Sequence, residues 1–246
     1  MIKVSKFGGS SVADAKQFEK VKQIITSDSS RQFVVVSATG KRFKDDNKVT
    51  DLLYLCHAHL KYGVSYESIF SLIEERYYAI QKELKLKTDL AKEFALIRSQ
   101  MNRDMNIDYL VSRGEYLTGL LMAEYLGYDF ADASTFIIFN YDGSINFDKT
   151  QHALEEILKE HTHLVVPGFY GVLPNGVIKV MSRGGSDITG AILANAIDAD
   201  VYENWTDVSG ILVADPRIIE NPLRIESITY NELRELSYMG ANVLHE

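Results

Sequence analysis

The chain has 246 residues, 46% of them hydrophobic, with a formal net charge of −8, which is enough apolar content for one large core or two joined lobes. An acidic pI of about 5.3 and scattered basic residues argue against a nucleic-acid surface, which shows a basic face. The single Cys56 rules out an internal disulfide and fits a reducing, cytoplasmic setting. It lies in the apolar helical run Leu52–Cys56 and reads as a buried structural thiol. No apolar run approaches the ~18 residues of a membrane span, and no signal-peptide pattern precedes the first strand.

Ile2, Val4 and Phe7 mark a short strand, and Phe18, Val21 and Ile25 a helix behind it, with Ser10-Ser11 offered as its N-cap. Between them stand Lys6, Gly8, Gly9 and Ser10. A glycine pair at a strand-to-helix turn lets the backbone approach a phosphate, and the helix N-terminus supplies N–H groups and a positive dipole end. On its own this segment is equally a plain strand–turn–helix corner with an exposed lysine. No Gly-x-x-x-x-Gly-Lys-Ser/Thr loop occurs in the chain. A second corner, Met181–Gly190, follows Val177–Val180 and precedes a helix marked by Ile188, Ala191 and Ile192. The two corners, one with Lys6 and the other with Arg183 and Asp187, suit opposite sides of one anionic ligand.

Gln32–Ser37 is a valine-rich central strand, and residues 38–49 read as a polar, mobile loop over its C-terminal edge. Thr50 to about Arg103 is helical, as is Ile107–Leu126. Strands are expected near Tyr128–Ala131, Phe136–Phe139 and His163–Val166. Pro174-Asn-Gly176 predicts a hairpin of Phe169–Leu173 with Val177–Met181. Asp200–Asn204 and Ile211–Val213 complete the strands, and Asn231–Gly240 forms a last helix. This alternation predicts an α/β fold with a mainly parallel sheet in one compact unit, with two lobes meeting near residue 170.

Ser112 and Glu115 have capping-box spacing. The periodicity, however, starts at Ile107 and Leu110 and leaves both inside a helix. Gly114 would cost about 1 kcal/mol there relative to alanine, and room for a ligand accounts for it. His57 and His59 are two residues apart and do not share a helix face, so they make no metal pair; His161 and His163 are no better placed.

Lys6-Phe-Gly-Gly-Ser-Ser-Val12, Val111-Ser-Arg-Gly-Glu115, Ser182-Arg-Gly-Gly-Ser-Asp187, Trp205-Thr-Asp-Val208 and Asp215-Pro-Arg217, in that order, resemble the aspartokinases of the amino-acid kinase fold family. The resemblance covers the whole chain. It implies a three-layer α/β/α sandwich of carbamate kinase-like fold, with an amino-acid lobe (about 1–170) and an ATP lobe (about 171–246). It further implies transfer of the ATP γ-phosphoryl group to the side-chain carboxylate of L-aspartate, with Mg²⁺, in lysine and threonine biosynthesis. A carboxylate is already ionised at neutral pH, so positioning and charge neutralisation suffice.

By this resemblance Lys6 and Asp187 are catalytic, Lys6 on the transferring phosphoryl group and Asp187 orienting it. Ser37, Thr50, Glu115, Arg183 and Ser186 bind the amino acid, Glu115 at its α-ammonium and Arg183 at its α-carboxylate. Lys6, Gly8, Gly9, Ser10, Thr206, Asp207 and Arg217 bind ATP. Two departures from the family pattern, Leu212 for a tyrosine and Asn242 for a lysine, weaken the expected ATP contacts. The family's full-length enzymes imply a homo-oligomer, a dimer, and continue into ACT domains. The end at Glu246 therefore leads us to expect a fragment truncated in the ATP lobe, without ACT domains or a response to feedback amino acids. The alternatives are another amino-acid kinase, acting on glutamate, acetylglutamate, carbamate or a nucleoside monophosphate, or a non-catalytic nucleotide-binding module.

Overall fold

The computed structural model describes residues 1–182, 184–206, 210 and 219–238. The chain divides into two compact units, Met1–Trp205 and Thr206–Glu246.

In the first unit a five-stranded parallel sheet runs in the order β3-β4-β2-β1-β7. The strands are β1 (Lys3–Phe7), β2 (Arg31–Val36), β3 (Asp129–Phe130), β4 (Leu164–Pro167) and β7 (Val201–Trp205). Alternation along the strands sends side chains to two cores. Val34 and Val36 of β2 and Val165 of β4 join one; Phe33 and Val35 of β2 and Leu164 and Val166 of β4 join the other. The first core takes Phe18, Val21 and Ile25 of α1 (Ala15–Thr26) and residues of α2 (Val49–Tyr62), α3 (Glu67–Leu84), α4 (Leu90–Gln100) and α5 (Ile107–Leu126). The second takes Leu154 of α6 (Phe147–Leu158) and Ile192 and Leu193 of α7 (Gly185–Ala196). The result is the expected three-layer α/β/α arrangement with a parallel sheet.

The expected hairpin forms as β5 (Tyr170–Val172) and β6 (Ile178–Val180), antiparallel. The long helical stretch after Thr50 breaks into α2, α3 and α4, with α2 ending on Gly63 at φ +69°. In the second unit α8 (Tyr230–Tyr238) occupies most of the expected last helix. A reciprocal capping box starts it: the Thr229 N–H donates to Glu232 Oε2 at 2.8 Å, and the Glu232 N–H to Thr229 Oγ1 at 3.3 Å. Ile211–Val213 and the end of the last helix lie outside the described residues.

Four expectations need correction. The cap of α1 is Asp14, whose side chain accepts from the Gln17 N–H at 2.9 Å; Ser10 and Ser11 sit in a preceding 3₁₀ turn, Gly9–Val12. Phe136–Phe139 is not a strand and makes only isolated bridges, Ile138 to Val172 and Phe139 to Ile145. Helix α6 is an addition to the expected elements: Thr150 and Leu154 on it are buried and Ala153, Ile157 and Leu158 pack beside them, a stripe at helical spacing. The loop after β2 is anchored: Ala38, Thr39, Gly40 and Asp46 are all buried.

That loop is fixed by backbone contact. The Gly40 N–H donates to the Gly9 carbonyl at 2.8 Å. A Cβ on Gly40 would lie 2.5 Å from the Gly9 carbonyl carbon and 2.7 Å from the Ser10 nitrogen, and a Cβ on Gly9 would lie 2.9 Å from the Ala38 carbonyl oxygen. Neither backbone can yield without moving the loop. Gly40→Ala is therefore expected to destabilise the protein by about 1–3 kcal/mol, the range for overpacking a tight site. Chemical denaturation checks this; unchanged stability would mean that the loop has slack.

Candidate active site

The parallel strands β1, β2, β4 and β7 end at one edge of the sheet, where open α/β sheets bind ligands. β1 lies between β2 and β7, so the chain winds outward from it in opposite directions. The residues that follow β1, β2 and β4 are Gly8–Gly9, Ser37–Gly40 and Gly168–Phe169. They are tied together by the Gly8 N–H to the Trp205 carbonyl at 3.3 Å, the Ser37 N–H to the Phe7 carbonyl at 3.2 Å and the Gly168 N–H to the Val36 carbonyl at 2.9 Å.

Lys6, near the end of β1, is buried, and its Nζ lies 2.6 Å from Asp187 Oδ1 in the first turn of α7. The two glycine corners thus meet through this ion pair. Gly184 enters α7 with φ +80°, a left-handed conformation that suits glycine. Ser186 is buried against Gly168, where a Cβ would come within 2.8 Å of the serine Oγ. Phe169 has φ +79°, costly for a bulky residue. It is held by its N–H to Thr189 Oγ1 at 3.0 Å and its carbonyl to the Met181 N–H at 2.7 Å.

Helix α5 supplies Glu115. The helix begins at Ile107 with Asn106 as its cap, so Ser112 and Glu115 are interior and form no capping box; the Ser112 hydroxyl donates to the Tyr109 carbonyl at 2.7 Å. Gly114 makes room for protein rather than ligand: a Cβ there would lie 2.8 Å from the Ala38 methyl. That contact sets Ala38 beside Glu115. Glu115 is buried, and its Oε2 has no hydrogen-bond partner among the described residues. Burial pushes its pKa up to about 8, while the backbone N–H groups of Ala38 and Glu115 itself, and the Arg113 charge, pull weakly the other way. Arg113 makes no ion pair with Glu115 and stacks against Tyr116 and Tyr109, at 4.4 and 4.7 Å from the ring centres. A buried carboxylate with an unpaired oxygen is a site for an incoming cation or hydrogen-bond donor.

Ser37 follows β2 at the sheet edge, and Thr50 is next to Val49, which also packs beside Gly114. The structure therefore gathers Lys6, Asp187, Ser186, Ser37, Gly8 and Gly9 at the edge, and joins Glu115 to them through Ala38. The Gly8 N–H is occupied by Trp205, and Gly9 is required for contact with the loop. Ser10 and Thr206 are exposed. Arg183, Asp207 and Arg217, together with Leu212 and Asn242, lie outside the described residues. Sequence reasoning missed Ala38 and Phe169: the first acts through its backbone, and a positive φ at a phenylalanine leaves no sequence signal. Cys56 is buried with its thiol pushed up to about 12 by desolvation, as expected of a structural cysteine. His57 and His59 each meet a backbone carbonyl, of Met105 and Ser65, at 3.1 and 2.6 Å.

A profile of the Amino acid kinase family matches residues 1–246. Aspartokinase 3 of Bacillus subtilis (strain 168) is 38% identical over 260 residues, a match covering 100% of this chain and 57% of that protein. The crystal structure of Clostridium acetobutylicum aspartate kinase superposes with a TM-score of 0.93 at 49% identity, over 100% of this chain and 56% of that one. The structure of E. coli aspartokinase III in complex with aspartate and ADP gives a TM-score of 0.85 at 29% identity, over 100% of this chain and 58% of that one. The chain thus spans a little over half the length of these relatives. With a parallel sheet, two glycine corners joined by Lys6 and Asp187, and a profile match along its whole length, the chain belongs to the amino acid kinase family and is aspartokinase-like.

Proposed function

We propose that this chain transfers the γ-phosphoryl group of ATP to the side-chain carboxylate of L-aspartate, giving 4-phospho-L-aspartate. The observation that carries this reading is the buried Glu115 carboxylate with an unpartnered Oε2. It offers a counter-charge to an α-ammonium, which N-acetylglutamate, carbamate and nucleotides lack. The likeness to a relative solved with aspartate and ADP supports the same choice.

The acceptor carboxylate needs no general base, so the protein's task is to align it and to neutralise phosphate charge. Lys6 brings its ammonium to the transferring phosphoryl oxygens, and Asp187, 2.6 Å from it, fixes its position. Ser37, Thr50 and Ser186 are assigned to the amino-acid side, and Arg183, on motif grounds alone, to the α-carboxylate. Thr206, Asp207 and Arg217 are proposed nucleotide contacts on motif grounds alone, as is the division into an amino-acid lobe and an ATP lobe near residue 170. Among the described residues this corner's carboxylate is Asp187, already paired with Lys6, a donor set suited to a metal carried in on the nucleotide. Mg²⁺ bound with ATP would supply charge neutralisation on the β- and γ-phosphates.

The test is ADP release with ATP–Mg²⁺ and each of L-aspartate, L-glutamate, N-acetyl-L-glutamate, carbamate and UMP. L-Aspartate should be preferred. Preference for another acceptor points to a different amino-acid kinase, and no release with any of them to a non-catalytic module. Lys6→Met should fold and lose on the order of 100-fold or more in turnover, the range for deleting one electrostatic stabiliser. Near-wild-type turnover would remove Lys6 from the mechanism.

Glu115 also makes a prediction about pH. Its pKa stands near 8 when folded against 4.5 for an ordinary glutamate, so between these values the folded state holds a proton that the unfolded state releases. Stability should therefore fall as pH rises through that window, with the full cost present above about 8. Glu115→Gln should remove the cost, so its melting temperature should rise relative to wild type from pH 5 to pH 8. A constant difference across that range would show that Glu115 is not buried unpaired.

A further inference from the structure

The loop that joins the two halves of the site is held by a buried cation from outside it. Arg76, in the middle of α3, is buried among apolar neighbours. Its Nη1 donates to the Gly40 carbonyl at 2.7 Å and its Nη2 to Asp46 Oδ1 at 2.8 Å. Asp46, itself buried, also accepts from the Arg42 backbone N–H at 3.0 Å, from Arg42 Nε at 2.8 Å and from Arg42 Nη2 at 3.1 Å. One side chain thus grips both ends of the segment from Gly40 to Asp46. Residues 38–40, which lead into it, serve the site on two sides: the Gly40 N–H holds the Gly9 carbonyl of the lysine corner, and Ala38 presses on Gly114, its backbone N–H favouring the ionised form of Glu115.

Stability alone is a poor reason for this arrangement. Taking a guanidinium and a carboxylate out of water costs about as much as their attraction returns, and a packed apolar pair of the same volume usually does as well. What an apolar pair cannot do is fix the direction of the Gly40 carbonyl and the Asp46 carboxylate together, which the planar fork of an arginine does. We propose that Arg76 is a positioning residue for phosphoryl transfer: by clamping Gly40 and Asp46 it sets residues 38–40 so that the Lys6 corner and Glu115 present themselves to one amino-acid substrate at once. The inference rests on the function proposed above. Arg76 touches neither substrate nor phosphate; it acts through Ala38 and Gly40.

The variants to compare are Arg76→Met, Arg76→Lys and Arg76→Met combined with Glu115→Gln, each first checked for a cooperative melt. Arg76→Met should raise the KM for the amino acid about tenfold and the KM for ATP much less. The midpoint of the pH dependence of that amino-acid KM should move to higher pH, because the Ala38 N–H no longer favours the ionised Glu115. Arg76→Lys keeps a cation for Asp46 and gives up the fork, so its amino-acid KM should rise severalfold above wild type, and it carries the comparison where the methionine variant does not fold. In the Glu115→Gln background Arg76→Met should add little to the amino-acid KM. Trypsin, which has Lys41, Arg42, Lys44 and Lys48 as targets in the loop, should cut Arg76→Met there faster than wild type at a temperature where both are folded. A wild type active on an amino acid, with KM and pH midpoint unmoved in both single variants, would overturn the role of Arg76 and leave the proposed function standing. A wild type active on no amino acid would overturn that function and the positioning role with it, and trypsin would still report whether the clamp holds the loop.

Discussion

The site depends on backbone segments that touch without side chains between them. Gly9 and Gly40 meet closely enough that a methyl on Gly40 would lie 2.5 Å from a carbonyl carbon. Gly114 admits the Ala38 methyl to the surface of α5 in the same way. These contacts bring the ends of β1 and β2 and the middle of α5 to one place. Lys6 and Glu115 are far apart in sequence and on different elements, yet Gly9 of the lysine corner and Gly114 beside Glu115 both meet the three residues that follow Ser37. Remove the close approach, and the cation and the carboxylate no longer belong to one site.

The electrostatics of the two halves differ. Lys6 has its partner built in, Asp187 at 2.6 Å, so its charge is paid for within the protein and held ready. Glu115 has none: Arg113, two residues away, is engaged by the rings of Tyr109 and Tyr116. Burying a carboxylate unpaired is unfavourable, and the unfavourable state is relieved by whatever cation enters. In the proposed function, a substrate ammonium that pairs with Glu115 displaces the proton that burial keeps there at neutral pH. In that proposal the pairing makes selection depend on the amino group rather than on size alone.

Much of this was legible in the sequence, for physical reasons that differ by element. The strands at β1, β2 and β7, the hairpin around Pro174–Gly176 and the full extent of α5 follow from periodicity and turn chemistry, both local. The two glycine corners suggest only that Lys6 and Asp187 flank one anionic ligand; that Asp187 orients Lys6 comes from the family resemblance, and the structure pairs them directly. Helix α6 was equally legible, since Thr150, Ala153, Leu154, Ile157 and Leu158 recur at helical spacing. The sequence suggests space for a ligand at Gly114, but the space is filled by Ala38, since a sequence does not say which segment will come to lie against a glycine. Arg76 and Asp46 gave no signal for the same reason: an arginine inside an otherwise amphipathic helix looks like a solvated residue until its partners arrive from a loop 30 residues earlier.

We propose that Glu115 waits as a protonated, unpaired acid and becomes the counter-ion of a substrate ammonium. Isothermal calorimetry of L-aspartate binding to the wild-type chain at pH 7, with a non-hydrolysable ATP analogue and Mg²⁺ present, tests it directly when repeated in buffers of different ionisation enthalpy. Glu115, with its pKa near 8, starts mostly protonated and must ionise to pair, so binding should release a proton in an amount approaching one per site and falling toward zero at pH 9. The Glu115→Gln variant, if it binds at all, should release none. A wild type that binds L-aspartate at pH 7 with no proton release would contradict the account.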